Sequence, residues 1–347
     1  MIGSGARLLA DLDVDVRPDA PIGAETWFGI GGRADLLVSP RSVDALATII
    51  KRCRRSRTPV RILGAGANLL VDDEGVGGVV IRLDAEAMTE VRHNPDGPIS
   101  RLHAMAGADL PRTLMDTARR GLRGMQHLAG IPATIGGAVR MNAGGRDGTI
   151  ADAIESVTVI DRTGAVVERP VAEIPFAYRS CGLDDPVIVA ASFRLEHDDP
   201  VAVREEVKRM FAYKKSTQPL ADHSAGCTFR NAVDPAGGGL VPAGRLIDEA
   251  GLKGHRIGGA EVSPQHANFI VTHPGATARD VRTLIEVVAE RVFARTGLRL
   301  QRELVIWDRS DDGAAAADTP ELAPPRGVLE LDPPDPPDAS APRRSGR

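Results

Sequence analysis

The sequence predicts an α+β protein built from more than one domain. Short runs rich in Val, Ile and Leu, such as "ADLLVSP" (34–40), "PVRIL" (59–63) and "VIVAASFRL" (187–195), have strand length and strand composition. Segments with helical spacing lie between them, "SVDALATIIKRCRRS" (42–56) being the clearest. A chain of 347 residues that is 42% hydrophobic can fill more than one core.

Thr26 to Leu83 reads as a compact α/β unit. In its helix Leu46, Ile49, Ile50 and Cys53 fall on one face, Ser42 is the expected N-cap, and Asp44 puts a negative charge in the first turn. "PVRILGAG" is a strand running into glycines, and "GVVIRL" (78–83) is a further strand. From about Ile99 the pattern changes. A helix within 110–121 ends near Gly121, and the glycine-rich "GIPATIGGAVRMNAGG" (130–145) reads as a loop. "SVTVIDRTGAVVERP" (156–170) is a hairpin turning at Thr163-Gly164, followed by the 187–195 strand and a helix over 201–216. From Gln218 the chain gives a short helix in "AGRLIDEAGL" (243–252), a strand in "NFIV" (268–271), a long amphipathic helix ending near Gly297, and a closing strand in "LRLQRELVIWD" (298–308). After Asp311 the composition turns to Ala, Asp and Pro, which cannot bury enough apolar surface to order itself. The expected boundaries are 1–22 for an N-terminal segment, 23–197 for a first domain split near 84–100, 198–308 for a C-terminal domain, and 309–347 for a disordered tail.

Composition excludes several classes. The net charge of −4 gives no general drive toward nucleic acid or acidic membranes. Aromatic residues are 3% of the chain, too few for recognition built on base stacking. Cys53, Cys181 and Cys227 are odd in number and scattered, which favours a reducing compartment over a disulfide framework. The first residues lack the apolar core of a signal peptide, and no apolar run approaches the roughly 18 residues of a membrane span. A cytoplasmic protein acting on small molecules, with neither nucleic acid nor membrane as partner, is the expectation. The histidines show no H-x-x-x-H pair and the cysteines no C-x-x-C, so no metal site is expected.

Chemistry concentrates in two glycine loops and a few polar residues. "ILGAGANLL" places Gly64 and Gly66 after a strand, where a backbone without Cβ atoms can approach phosphate oxygens. Leu69 stands where a dinucleotide fingerprint needs its third glycine, and no GK[ST] follows, so this is neither a Rossmann turn nor a Walker loop. Gly130, Gly136, Gly137, Gly144 and Gly145 crowd a second loop with Thr134 and Asn142. Either loop alone could be a plain turn; the two together suit a ligand with a pyrophosphate. Arg179 could grip a carboxylate or phosphate bidentately, or be a solvated surface arginine. Alternation puts Gln301 and Glu303 on the face opposite Leu300, Arg302 and Leu304, so Glu303 is an ordinary exposed residue unless that face lines a cleft. His266 and Asn268 could be hydrogen bonders or parts of a turn.

"ETWFGIGGRADLLVSP", "ILGAGANLLVDDEGVGGVVIRL", "GIPATIGGAVRMNAGG", "FAYRSCGL", "QPLADHSAGCTFRN", "AGRLIDEAGL" and "HANFIVTHPGATARDV" together resemble the UDP-N-acetylenolpyruvoylglucosamine reductase (MurB) family, over roughly residues 20 to 308, and its shorter subtype most. The resemblance implies an FAD-binding fold of the vanillyl-alcohol-oxidase (PCMH) type in two subdomains, with a C-terminal α+β substrate-binding domain. It implies that FAD is held by Gly64, Ala65, Gly66, Ala67 and Asn68 together with Gly130, Ile131, Pro132, Thr134, Gly136, Gly137, Asn142 and Gly144. It implies NADPH as reductant, and substrate contacts from Tyr178, Gln218, Arg230, Asn231, His266 and Asn268. The family's catalytic arginine, proton donor and glutamate match Arg179, Cys227 and Glu303. In the implied reaction the flavin N5 gives hydride to the vinyl carbon, Arg179 holds the enediolate charge, Glu303 holds or orients the carboxyl, and Cys227 protonates the α-carbon. The chain is expected to act as a monomer. Competing readings are another flavin oxidoreductase, such as a sugar or alcohol oxidase, and a non-catalytic flavin or nucleotide-sugar binder.

The sequence departs from the family where Cys227 replaces the usual serine acid, Ala67 and Cys181 replace common serines, and Ala232 replaces a proline. A free thiol titrates near pH 8.5, so it stays mostly protonated at pH 7 and can donate. If Arg230 or another cation depressed that value, thiolate would accumulate, and sensitivity to thiol reagents with protection by substrate is expected on that ground.

Overall fold

The computed structural model describes residues 8–96, 99–235 and 237–309, so the tail expectation, apart from Arg309, lies outside the described residues. Its first sheet has the order Val14–Ala20, Ala34–Pro40, Val76–Arg82, Val60–Leu63. The first pair is antiparallel and the next two are parallel. The helix Val43–Ser56 connects two of the parallel strands. Ser42 Oγ accepts from Ala45 N at 3.1 Å, as an N-cap should, and Leu46, Ile49, Ile50 and Cys53 are all buried. The strand Val14–Ala20, by contrast, lies in what reads as an N-terminal segment. Only its Ala20 is buried. As an edge strand it is mostly solvated; Val14, Val16, Pro18 and Ala20 do alternate with charged residues, but the run is short and holds a proline, which makes it a weak strand signal.

The second sheet is antiparallel, ordered Val166–Pro170, Ile154–Ile160, Val187–His197, Ile99–Met105, Val91–Asp96. At the predicted hairpin, the Asp161 carboxylate accepts from Thr163 N at 2.7 Å and Ala165 N at 3.0 Å, closing the turn. Val187–His197 is the central strand, and Phe193 on it is fully buried. The glycine-rich 130–145 stretch is more regular than a loop: Thr134 Oγ1 accepts from Gly137 N at 3.2 Å and starts the short helix Ile135–Arg140, and Gly144–Gly145 pairs with Gly148–Thr149. Helix Pro200–Thr217 follows the boundary expected at 198, yet Val203 and Val207 belong to the core of the preceding sheet.

Beyond it, the strands Arg256–Ile257, Ala260–Val262 and Ile270–Thr272 form a small sheet covered by helix Ala278–Thr296. Leu246, Val262, Ile270, Val281, Leu284 and Val288 fill a separate core between them. The closing strand is shorter than its sequence suggests. Glu303 N and Leu304 N both donate to Thr228 O, at 2.9 and 3.2 Å, which bends the chain. Only Val305–Trp307 is strand, and it pairs in parallel with Leu69–Val71 of the first unit. The last residues thus sew the C-terminal part to the glycine loop after Leu63.

Helix Ala278–Thr296 begins with a capping box: Asp280 N donates to Thr277 Oγ1 at 3.1 Å and Thr277 N to Asp280 Oδ2 at 3.0 Å. Thr277→Ala should lower stability by about 1 kcal/mol, read as a shifted urea midpoint, with no change in flavin content.

Candidate active site

Segments far apart in sequence converge on Arg179. Ala177 N donates to Ser180 O at 2.9 Å and Ser180 N to Ala177 O at 3.1 Å, so Tyr178 and Arg179 form the tip of a tight turn. Arg179 has φ of +59°, a left-handed conformation costing a non-glycine residue about 1–3 kcal/mol. Two anchors hold that turn. Asn142 Nδ2 donates to Ala177 O at 3.0 Å, and Arg140 donates to Leu183 O and Asp185 O at 2.8 and 2.7 Å.

The guanidinium is fixed as well. Arg179 Nε donates to Glu303 Oε1 at 2.8 Å and an Nη donates to Gly144 O at 3.0 Å. The Arg179 and Glu303 side chains are 19% and 11% exposed, so Glu303 is not an ordinary exposed strand residue but a largely buried partner of Arg179. Burial raises the Glu303 pKa above the usual carboxylate value, with Arg179 and then Arg230 opposing. For Arg179 burial acts to lower the pKa, but Glu303, Tyr178 and Cys227 overcome it and hold the guanidinium above its ordinary value. The arginine therefore keeps its charge, and its remaining donors are available to an anion.

Cys227 sits beside this pair. Its backbone bridges to Phe269, and Glu303 is tied to the following residue through Thr228 O. By surface area Cys227 is only half-buried. The atoms crowding its sulfur nevertheless push the thiol up to about 12, with Glu303 adding to the rise and Arg179 and Asn268 opposing it. This corrects the expectation of a cation-depressed, reagent-sensitive thiol: desolvation outweighs the nearby positive charge. Iodoacetamide should therefore alkylate Cys227 slowly at pH 7.5, as peptide mass spectrometry would show; rapid labelling would contradict the buried-thiol geometry.

The glycine loops are brought into contact. A Cβ at Gly64 would stand 2.9 Å from Thr134 Oγ1, and one at Gly137 would stand 3.3 Å from the same oxygen. The Gly64 backbone thus lies against the Thr134 side chain that starts the second glycine segment, as only glycine allows, and a pyrophosphate fits a cradle of this kind. Gly66 (φ +67°) packs on Thr26, and Trp27 N donates to Gly66 O at 3.2 Å. A cleft of about 340 Å³ opens there, lined by Glu25, Thr26, Trp27, Leu220, Ala221, Asp222 and His223. A larger groove, about 1110 Å³, runs along the first sheet past Asp15, Arg17, Arg41 and Glu86; none of the predicted site residues lines it. The residues present fit FAD along Gly64–Asn68 and Gly130–Gly144.

Several predicted polar contacts use their side chains inside the protein. Asn68 Nδ2 donates to Glu303 O at 3.2 Å. Asn142 also accepts from Ala151 N at 3.4 Å. Asn231 Oδ1 accepts from Ala243 N at 3.1 Å at the start of a helix, while Asn231 N donates to Tyr178 Oη at 3.4 Å. Asn268 bonds both backbone groups of Phe229. His266 Nδ1 accepts from Asn268 N at 3.3 Å, and burial lowers its pKa. Gly136 is glycine for packing, since a Cβ there would come within 2.7 Å of Ala106 Cβ. Gln218 ends helix Pro200–Thr217, its N–H donating to Lys214 O at 2.9 Å. Arg230 differs from these. Its Nε is buried without a partner among the described residues, and it acts on Glu303.

Lys214 escapes sequence reading. Its Nζ donates to His127 O at 3.3 Å, and its stem packs where a Cβ on Gly130 (φ +77°) would meet it at 3.2 Å. Burial and then the charge of Arg179 bring its pKa down to about 8. A lysine in the last turn of a helix is commonplace, so nothing in "YKKSTQP" distinguishes it.

Comparisons with known proteins show the family and the fold. Residues 218–307 match the family described as UDP-N-acetylenolpyruvoylglucosamine reductase, C-terminal domain, and residues 34–169 match an FAD binding domain family. The UDP-N-acetylenolpyruvoylglucosamine reductase of Syntrophobacter fumaroxidans is 39% identical over 297 residues, 85% of this chain and 84% of that protein. The one from Heliobacterium modesticaldum is 40% identical over 304 residues, 86% of this chain and 94% of its own. A crystal structure of the Thermus caldophilus reductase aligns with a TM-score of 0.69 at 36% identity, covering 85% of this chain and 99% of that one. The fold is therefore the FAD-binding fold with a reductase-type C-terminal domain.

Proposed function

Since the chain belongs to the UDP-N-acetylenolpyruvoylglucosamine reductase family, we propose that it reduces the enolpyruvyl group of UDP-N-acetylglucosamine enolpyruvate to give UDP-N-acetylmuramate for peptidoglycan synthesis. NADPH is the reductant and FAD the cofactor. The observation that carries this reading is the buried Arg179–Glu303 pair with Cys227 beside it, at the junction of the glycine loops and the C-terminal part.

When bound, the flavin supplies the hydride equivalent that the enolpyruvyl double bond takes up. The residues do the rest. Negative charge grows on the conjugated carboxylate, and Arg179, already aimed by Glu303 and Gly144 O, holds that charge without reorganising. Glu303 fixes the guanidinium and, with its raised pKa, can share a proton with the substrate carboxyl. Cys227, kept neutral by burial, delivers the proton to the α-carbon. Arg230 Nε and the Lys214 ammonium offer positive charge to the diphosphate. FAD binding belongs to residues 23–197 and substrate binding mainly to 198–308. No helix among the described residues is long and apolar enough to cross a membrane; we place the enzyme in the cytoplasm as a monomer.

The test is direct. Purified protein should be yellow, NADPH should bleach it, and the enolpyruvyl nucleotide sugar should restore the colour. A colourless protein, or a reduced one that the substrate leaves bleached, would refute the proposal.

A further inference from the structure

Each glycine loop carries an asparagine whose amide reaches the backbone of the Arg179–Glu303 pair. Asn68 closes "GAGAN". Its Nδ2 donates to Glu303 O at 3.2 Å, and its own carbonyl accepts from Val305 N at 3.2 Å. The parallel pairing of Leu69–Val71 with Val305–Trp307 continues from that point. On the other side, Glu303 N donates to Thr228 O at 2.9 Å. Both backbone groups of the glutamate are therefore held, one by the first glycine loop and one by the residue after Cys227.

Asn142 serves the arginine in the same way. It is buried, and its Nδ2 donates to Ala177 O at 3.0 Å while its Oδ1 accepts from Ala151 N at 3.4 Å. Ala177 opens the tight turn that has Arg179 at its tip. Two residues beyond Asn142, Gly144 O accepts from the Arg179 guanidinium at 3.0 Å. Asn142 (φ +42°) and Arg179 (φ +59°) are two of the four non-glycine residues with left-handed backbone among the described residues. Such conformations persist where surrounding bonds over-determine them. The loops also meet each other, at Gly64 and Thr134.

We infer that Asn68 and Asn142 are positioning residues rather than cofactor ligands: each ties one glycine loop to one member of the Arg179–Glu303 pair, so the loops that fit FAD also set the placement of the pair. The inference rests on the proposed roles of Arg179 and Glu303. The two residues lie 124 positions apart in sequence and meet at 2.8 Å through Arg179 Nε and Glu303 Oε1. Side chains from separate segments keep such a distance only while both backbones are fixed, and a misplacement of about 1 Å can cost about 10²-fold in rate. Asn68 fixes the glutamate through its own carbonyl. Asn142 fixes the base of the arginine's turn, while Gly144 O receives the guanidinium itself. The flavin is left to the backbone of the loops, where glycine allows close approach.

Asn68→Ala and Asn142→Gly test this in the full-length, flavin-loaded protein. Glycine accepts the left-handed backbone at 142, adds no charge and removes the donor to Ala177 O. Each variant should keep its flavin content, and its bleaching by NADPH, within about 2-fold of wild type, while recolouring by substrate slows about 10- to 100-fold. In a Glu303→Ala background Asn68→Ala should have no further effect on recolouring, nor should Asn142→Gly in an Arg179→Ala background. The titration of Glu303 gives a reading that needs no substrate. It is followed in the infrared as the carboxyl band that disappears in Glu303→Gln. Burial raises this carboxyl and Arg179 opposes the rise, so loosening either member should move the titration up by about one pH unit, the equivalent of about 10-fold weaker pairing. A residue that merely braced the fold would lower the urea midpoint and leave that titration in place. Should one variant fail to fold, the other decides, since each acts on a different member of the same pair. Lost flavin with normal recolouring of what remains bound, or a Glu303 titration that stays where it is, would overturn the inference. Failure of the nucleotide sugar to recolour the unmodified protein would count against the proposed function, and the titration would still be read.

Discussion

Arg179→Ala is expected to lower turnover by roughly 10²–10³-fold, the usual consequence of removing one preorganised charge stabiliser. The loss should fall on recolouring of the reduced flavin by substrate, with bleaching by NADPH much less affected. Lysine should restore little of it. Arg179 reaches Glu303 through Nε and Gly144 O through a separate nitrogen, and a single ammonium cannot reproduce that fork. The turn adds its own constraint, because the guanidinium is delivered from a left-handed residue pinned by Asn142. Stability should change as well. Removing one partner of a buried pair costs about 3–5 kcal/mol when the other stays charged. Glu303 can escape by taking up a proton, since burial already raises its pKa and Arg179 is the main opposing influence. The sign follows. With a folded pKa above the unfolded one, the stability Glu303 contributes is present at low pH and is lost as pH rises through the folded value. The deficit of Arg179→Ala relative to wild type should therefore be larger at pH 8 than at pH 5, as urea midpoints at the two pH values would show. A deficit that grew toward acid pH would mean the pair is not buried as described.

Cys227→Ala should cost on the order of 10²–10⁴ in the same recolouring step, the range typical of a lost general acid. Cys227→Ser should stay within about 10-fold of wild type, because the hydroxyl occupies the same place and carries a proton at every working pH. The thiol pKa of about 12 makes a further distinction. A donor works only while protonated, so an ordinary thiol would switch activity off above about pH 8.5. In this protein the proton is retained through that range, and the alkaline limb of the rate profile should be the same for wild type and Cys227→Ser up to pH 9.5. A wild-type limb falling near pH 8.5 and absent from the serine variant would refute the buried thiol.

Much of the local structure was legible in the residues themselves. Ser42 marks a helix start, Thr163-Gly164 a hairpin, and Gly297 a helix end with φ of +72°. These signals are local: a cap or a turn is satisfied by atoms a few residues away. The edge strand Val91–Asp96 was silent, because a solvated edge requires no apolar alternation, and Val14–Ala20 gave only a short alternation that holds a proline.

For the site, the sequence by itself determined the chemical kinds: two glycine loops, an arginine, a thiol and a carboxylate, in an order that marks the family. Only the tertiary structure decided their state. It turned the side chains of Asn68, Asn142, Asn231 and Asn268 onto backbone groups of other segments, and it brought a half-buried Lys214 within reach of the Arg179 charge. It also reversed the expectation for Cys227. A pKa sums burial against every charge within reach, and those atoms come from parts of the chain up to about 50 to 75 residues away, such as Arg179 and Glu303. Residue type is written locally, whereas desolvation and hydrogen-bond partners exist only once the chain has closed around them.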